Sequence, residues 1–203
     1  MGGCKEMIKH QAVFRKIGRV RTRQKRLRLG QQRTTLSNTN MYSTPPFALF
    51  VLVDVSTDQL NKVLEAAFKG TEFSKNTFWL PSSEDDYLDA PKKVPREPTE
   101  GTKPPVSSYK SPFIGWKGED VAKWLKSKPK EAAIDVHFFA IVDNSAEKGF
   151  LVIGRQGGRY LEDMDKLEFM RLDTEFATAS IYAAQSGTWE EIKTSKGLAD
   201  IEY

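Results

Sequence analysis

Apolar residues in this chain gather into a few dense runs separated by long polar stretches, and each run carries its own period. Phe47, Ala48, Leu49, Phe50, Val51, Leu52 and Val53 are apolar without a break and are closed by Asp54, the pattern of a strand buried on both faces. Ser56 then stands where a helix cap belongs, with Gln59 three residues on. Leu60, Val63, Leu64, Ala67 and Phe68 follow at helical spacing, which predicts a helix over 56–69 with Gly70 as its left-handed stop. Thr77, Phe78, Trp79 and Leu80 read as a short second strand.

Periodicity vanishes from Pro81 to Lys117, a stretch that holds seven of the chain's ten prolines. Its composition predicts a solvated insertion, with Phe113, Ile114 and Trp116 anchoring its far end on the core. A second helix is expected over 118–128, with Glu119 and Asp120 in its first turn, Lys126 and Lys128 in its last, and Pro129 as its stop. The densest apolar pair comes next, Ile134–Asp143 and Phe150–Gly154. The few residues between them suit a hairpin and are too short for a crossover helix, so the two strands should be antiparallel neighbours. Gln156, Gly157 and Gly158 read as a further turn, and Leu167–Leu172 as an outer strand or the approach to a helix. Asp173 should cap a helix over 174–186 whose inner face is Phe176, Ala179, Ser180, Ala183 and Ala184. Thr188 and Glu191 form a capping box for a last helix over 189–196.

These elements predict an α/β fold, with α+β as its neighbour: one domain over 46–203, a single mixed sheet of four or five strands, four helices, and the proline-rich insertion at 81–117. Residues 1–45 stand apart as a basic tail. They carry 11 Lys and Arg against the single acid Glu6, whereas the rest of the chain has 20 basic and 26 acidic residues. The overall charge of +4 therefore conceals a tail of +10 and a body of −6, and nucleic-acid binding by the folded body is not expected. Within the tail, Val13, Ile17, Val20 and Leu27 fall near one helical face and the arginines lie away from it, as in a mitochondrial transit peptide. Three other readings stay open: a nuclear or RNA-binding cluster, a lipid anchor on Gly2 and Cys4, and an extension ahead of Met41 with no structure of its own. Mitochondrial localisation is the expectation, with cytoplasmic or nuclear as the alternatives. No apolar run approaches the length of a transmembrane helix.

Cys4 is the only cysteine and lies in the tail, which excludes disulfides, cysteine-based zinc sites and CxxC chemistry in the body. His137 is the body's sole histidine, which excludes multi-histidine metal sites. No phosphate-binding loop, nucleophile elbow or HExxH helix occurs, and neither a cofactor nor a metal site is expected.

The body's landmarks, Asp54 with Ser56, then Ile141, Val142 and Asp143, then Gly158 and Arg159, and last Ala184 to Trp189 with Glu190 and Glu191, resemble those of a bacterial domain-of-unknown-function family, number 6924. The resemblance spans the body apart from the loop at Pro81, and Leu52 and Val53 replace an arginine of the family pattern. It implies a fold and carries no assigned activity.

The candidate chemistry is spare. Asp54 and Asp143 each end an apolar strand. If those strands are parallel, both carboxylates emerge at one sheet edge, where with Ser56 and Thr57 they would hold Mg²⁺ against a phosphate. The plainer reading is turn chemistry. His137 is a catalytic candidate or a hydrogen-bonded packing residue. Arg155 and Arg159 flank a glycine turn that would bind an anion or simply close a hairpin. The expected function is a non-catalytic binding or interaction domain with an unidentified protein partner and an open oligomeric state. The alternative is a small Mg²⁺-dependent phosphoryl-transfer or hydrolase-type enzyme using Asp54 and Asp143.

Overall fold

A computed structural model of the chain describes residues 45–70, 75–94, 99–159 and 161–195. The expectations for residues 1–44 and for the end of the last helix lie outside them. The described body is built on one mixed five-stranded sheet. Its strands are β1 (Phe47–Val51), β2 (Phe78–Trp79), β3 (Phe138–Val142), β4 (Phe150–Gly157) and β5 (Asp163–Asp173), in the order β2-β1-β3-β4-β5. β1 runs parallel to both β2 and β3, whereas β4 and β5 are antiparallel to their neighbours.

The helices α1 (Thr57–Lys69) and α2 (Gly118–Lys126) lie on opposite faces of this sheet. Alternate residues show why. Phe47, Leu49 and Val51 of β1 pack with Leu60, Val63 and Leu64 of α1, while Ala48 and Phe50 pack with Val121, Trp124 and Leu125 of α2. Strands covered on both sides have no polar face, which is why these runs lack the alternation of a half-exposed sheet. α3 (Thr174–Ala183) joins α1 on the first face. α4 (Trp189–Ser195) follows α3 across a break at Gly187, whose φ of +97° is not helical, so the two last helices are separate as expected.

Other expectations are corrected. α1 is capped by the Ser56 hydroxyl, which accepts from the Gln59 amide at 3.1 Å, but Gly70 is not left-handed, its φ being −75°. It is glycine for proximity: a Cβ there would lie 1.5 Å from the Glu175 carbonyl oxygen. α3 turns Thr174, Ala177, Thr178 and Ile181 inward and leaves Phe176 54% exposed, so its buried face is not the one expected. Asp173 stands at the cap position without a side-chain cap bond, and the Thr188 hydroxyl is buried without a partner among the described residues.

The proline-rich segment is no solvated insertion where it is described. It is a strap that packs on both faces, with Tyr87, Phe113 and Trp116 on the α2 face and Val106 and Tyr109 on the α1 face. The Ser111 hydroxyl donates to the Val51 carbonyl, the Tyr109 hydroxyl to Pro81 O at 2.9 Å, and the Trp124 indole to Glu84 O at 2.7 Å. Phe113 is fully buried and Trp116 packs edge-on against it, but Ile114 is 44% exposed and anchors nothing.

Candidate functional site

β1 and β3 are adjacent and parallel, with Val51 paired to Val142, so the chain leaves both at the same edge of the sheet. From there α1 carries the chain one way, to β2. The short 3₁₀ turn Asn144–Lys148 carries it the other way, to β4. In open α/β sheets ligands sit at that edge, and Asp54 and Asp143 both follow strands that end there.

The two aspartates are not equivalent. Asp54 is exposed in the loop before α1. Ser56 spends its hydroxyl on the helix cap, and Thr57 is the first residue of α1. Asp143 is held on both carboxylate oxygens. Oδ1 accepts from the Ser145 amide at 2.8 Å and from the Ser145 hydroxyl, and Oδ2 accepts from the Arg171 guanidinium at 3.0 Å. Burial pushes this carboxyl upward, but the Ser145 hydroxyl and amide and the Arg171 charge outweigh it and leave Asp143 below the usual carboxylate range. A carboxylate so occupied caps a turn and clamps β5 to β3. Among the described residues, no group of three or more His, Cys, Asp and Glu side chains is placed to hold a metal ion.

His137 lies one residue ahead of β3 and not within it. Its Nε2 is 2.7 Å from Gly158 O, and its ring rests on Phe138 with centroids 4.3 Å apart. Asp135, not singled out by the sequence, is the organising group here. Its Oδ1 accepts from the His137 and Phe138 amides, each at 2.8 Å, and its Oδ2 from Gln185 Nε2 at 3.0 Å. Burial raises the Asp135 carboxyl above its ordinary value, although the two amides, the neighbouring His137 and Gln185 all pull it down.

The expected anion loop is taken apart by the fold. β4 runs through Gln156 and Gly157, so Arg155 is a strand residue, 4% exposed, instead of a loop donor. It pairs with Glu168 on β5 and with Glu190 of α4 at 2.9 Å, and its guanidinium lies 4.6 Å from the centre of the Trp189 ring. Arg159 sits in the turn beyond, where its amide bonds Glu162 Oε1 at 3.3 Å. The two arginines therefore do not form one site. Glu168, Glu190 and Arg171 escaped the sequence reading because each belongs to a different element from its partner.

One shallow concavity, of about 10 Å³, is lined by Leu64, Ala67, Phe68, Thr77 and Phe78 among others, room for about one water and far below the roughly 300–1,000 Å³ of small-molecule sites. It lies away from both aspartates. Compared with known proteins, the chain matches no family model, no curated protein and no solved structure.

Proposed function

We propose that the body is a non-catalytic binding or interaction domain. One observation supports this reading: of the candidate residues, Asp143, Arg155 and His137 are bonded within the fold, and Asp54 is exposed without a second carboxylate free to act with it. Asp143 holds Ser145 and Arg171, Arg155 holds two glutamates, and Asp135 and His137 tie β3 to the segments around it. Bonds of this kind tie elements of the fold together, and none of them links a nucleophile to a base.

A second reading, a small Mg²⁺-dependent phosphoryl-transfer or hydrolase-type enzyme, is favoured by the emergence of Asp54 and Asp143 at one edge beside two parallel strands. Thermal unfolding with and without Mg²⁺, together with release of phosphate from a generic aryl phosphate, separates the two. The interaction reading expects no Mg²⁺-dependent shift and no turnover, in the wild type or in Asp54→Asn. Turnover that needs Mg²⁺ and disappears in Asp54→Asn would replace it with the enzyme reading.

A further inference from the structure

The two rims of the sheet are finished differently. At the β2 rim the strap supplies a neighbour: Gly101 N donates to Asn76 O at 2.8 Å, Thr102 N donates to Phe78 O at 2.7 Å, and the Thr102 hydroxyl accepts from Leu80 N at 2.9 Å. At the other rim, β5 pairs with β4 alone among the described strands. One bond tells which peptide groups of β5 face outward. Thr174 N donates to Gly149 O at 2.8 Å, continuing the register in which Asp173 lies opposite Phe150. Antiparallel ladders bond every second pair, so Glu168, Met170 and Leu172 exchange bonds with β4. Leu167, Phe169, Arg171 and Asp173 turn their peptide groups the other way, Asp173 with only its N–H to give because its carbonyl starts α3.

Charge and proline, which commonly blunt such a rim, are spent or absent between Leu167 and Asp173. Glu168 bonds Arg155, Arg171 bonds Asp143, and the stretch has no proline. Phe169, Met170 and Leu172 are buried, so this rim offers main chain more than side chain, and what fits it is another strand. Its own sequence is suited to the part. The unshifted stretch is centred on Met170. A twofold axis there, perpendicular to the sheet, keeps every side chain on its own face. It sets Met170 against Met170, Phe169 against Arg171, Glu168 against Leu172 and Leu167 against Asp173. Outward peptide groups then meet outward peptide groups, and no like charges stand opposite. Each Arg171 is already neutralised by Asp143 of its own copy. Moving the axis to Arg171 would oppose two arginines, and moving it to Phe169 would oppose Asp165 to Asp173 within the bulge.

We propose that β5 is a dimer edge: Leu167–Asp173 pairs antiparallel with the same stretch of a second copy of the chain, joining two sheets into one. This rests on the interaction reading above and takes the partner to be the chain itself, in the isologous arrangement commonest among soluble oligomers.

Sedimentation equilibrium of the full chain at micromolar concentrations tests it, and should return twice the mass of one chain. Leu167→Asp places two acids opposite each other at both ends of the interface and should weaken the dimer on the order of tenfold, and adding Asp173→Lys should restore it. Asp173→Pro, at an exposed residue whose φ of −57° already suits proline, removes the end N–H and should weaken the dimer with circular dichroism unchanged. A second measurement needs no variant. On dilution of the wild type, amide exchange followed by NMR should quicken at Arg171 and Asp173 and stay slow at Met170 and Leu172. A wild type that sediments as one chain would overturn the proposal. So would a dimer indifferent to Leu167→Asp, a loss that Asp173→Lys does not repair, or exchange at Arg171 that ignores dilution. A single-chain mass removes the rim pairing and leaves the interaction reading in place, whereas magnesium-dependent turnover removes that reading whatever the mass.

Discussion

Asp135 and Asp143 bracket β3 and are held in opposite electrostatic states, one raised by burial and the other lowered by its partners. Their contributions to stability therefore run in opposite directions with pH. Asp143 favours the folded chain above the unfolded carboxyl value of about 3.9 and loses that contribution as pH falls through its lower folded value. Replacing it with Asn should cost about 1 kcal/mol at neutral pH, with the gap to wild type closing in acid. Asp135 behaves conversely. Its folded carboxyl holds a proton more readily than the unfolded one, so its contribution is fullest below about 3.9 and is lost as pH rises toward the folded value. Wild type should accordingly lose ground to Asp135→Asn across that window. Urea unfolding of the three proteins at a series of pH values reads both slopes, and parallel curves would refute the assignment. Gly154 makes a related point about single positions. In the sequence it ends an apolar run, yet in the fold it lies inside β4, where a Cβ would come within 2.3 Å of the Phe139 ring. Its meaning depends on a neighbour from another strand.

Among the elements, the strap was the least legible. It has no period because its bonds run from side chain to backbone over long separations. The Asn61 amide on α1 both donates to Val106 O at 3.1 Å and accepts from Val106 N at 2.8 Å, standing in for a strand neighbour. Asn61→Ala should cost about 1–3 kcal/mol by orphaning that peptide group and should speed amide exchange at Val106 ahead of global unfolding. Exchange at the wild-type rate would mean that the strap is held elsewhere. α1 was readable almost to the residue because its apolar positions allow one buried face. α3 was not, because its small and apolar residues wrap around it and two faces competed. Packing chose the one carrying Ala177 and Ile181 against the sheet, and nothing local distinguishes the two. Arg155 was misread for a similar reason: buried arginine looks like exposed arginine until Glu168 and Glu190 arrive from other elements.

At the scale of the whole molecule, the mixed sheet and its two covered faces could be read from the unbroken apolar runs of β1, β3 and β4. The strand order could not, since the parallel contact of β1 with β3 joins Ala48 to Phe139 across most of the body. The placement of Asp54 and Asp143 at one edge followed from the strand ends. That Asp143 is bonded on both oxygens did not, because Arg171 is on the far strand. Beyond that strand the sheet stops, and the way it stops matters. β4 and β5 keep step from Phe150↔Asp173 to Gln156↔Leu167, then jump to Gly157↔Asp163, so Met164, Asp165 and Lys166 bulge out of the ladder. The bulge shortens the straight part of this open rim to Leu167–Asp173. Trimming those three residues should lengthen the stretch open to an added strand and raise light scattering at high concentration above that of the wild type, and equal scattering would refute the idea. That surplus loop of backbone would then limit how far one copy of this chain can zip onto another.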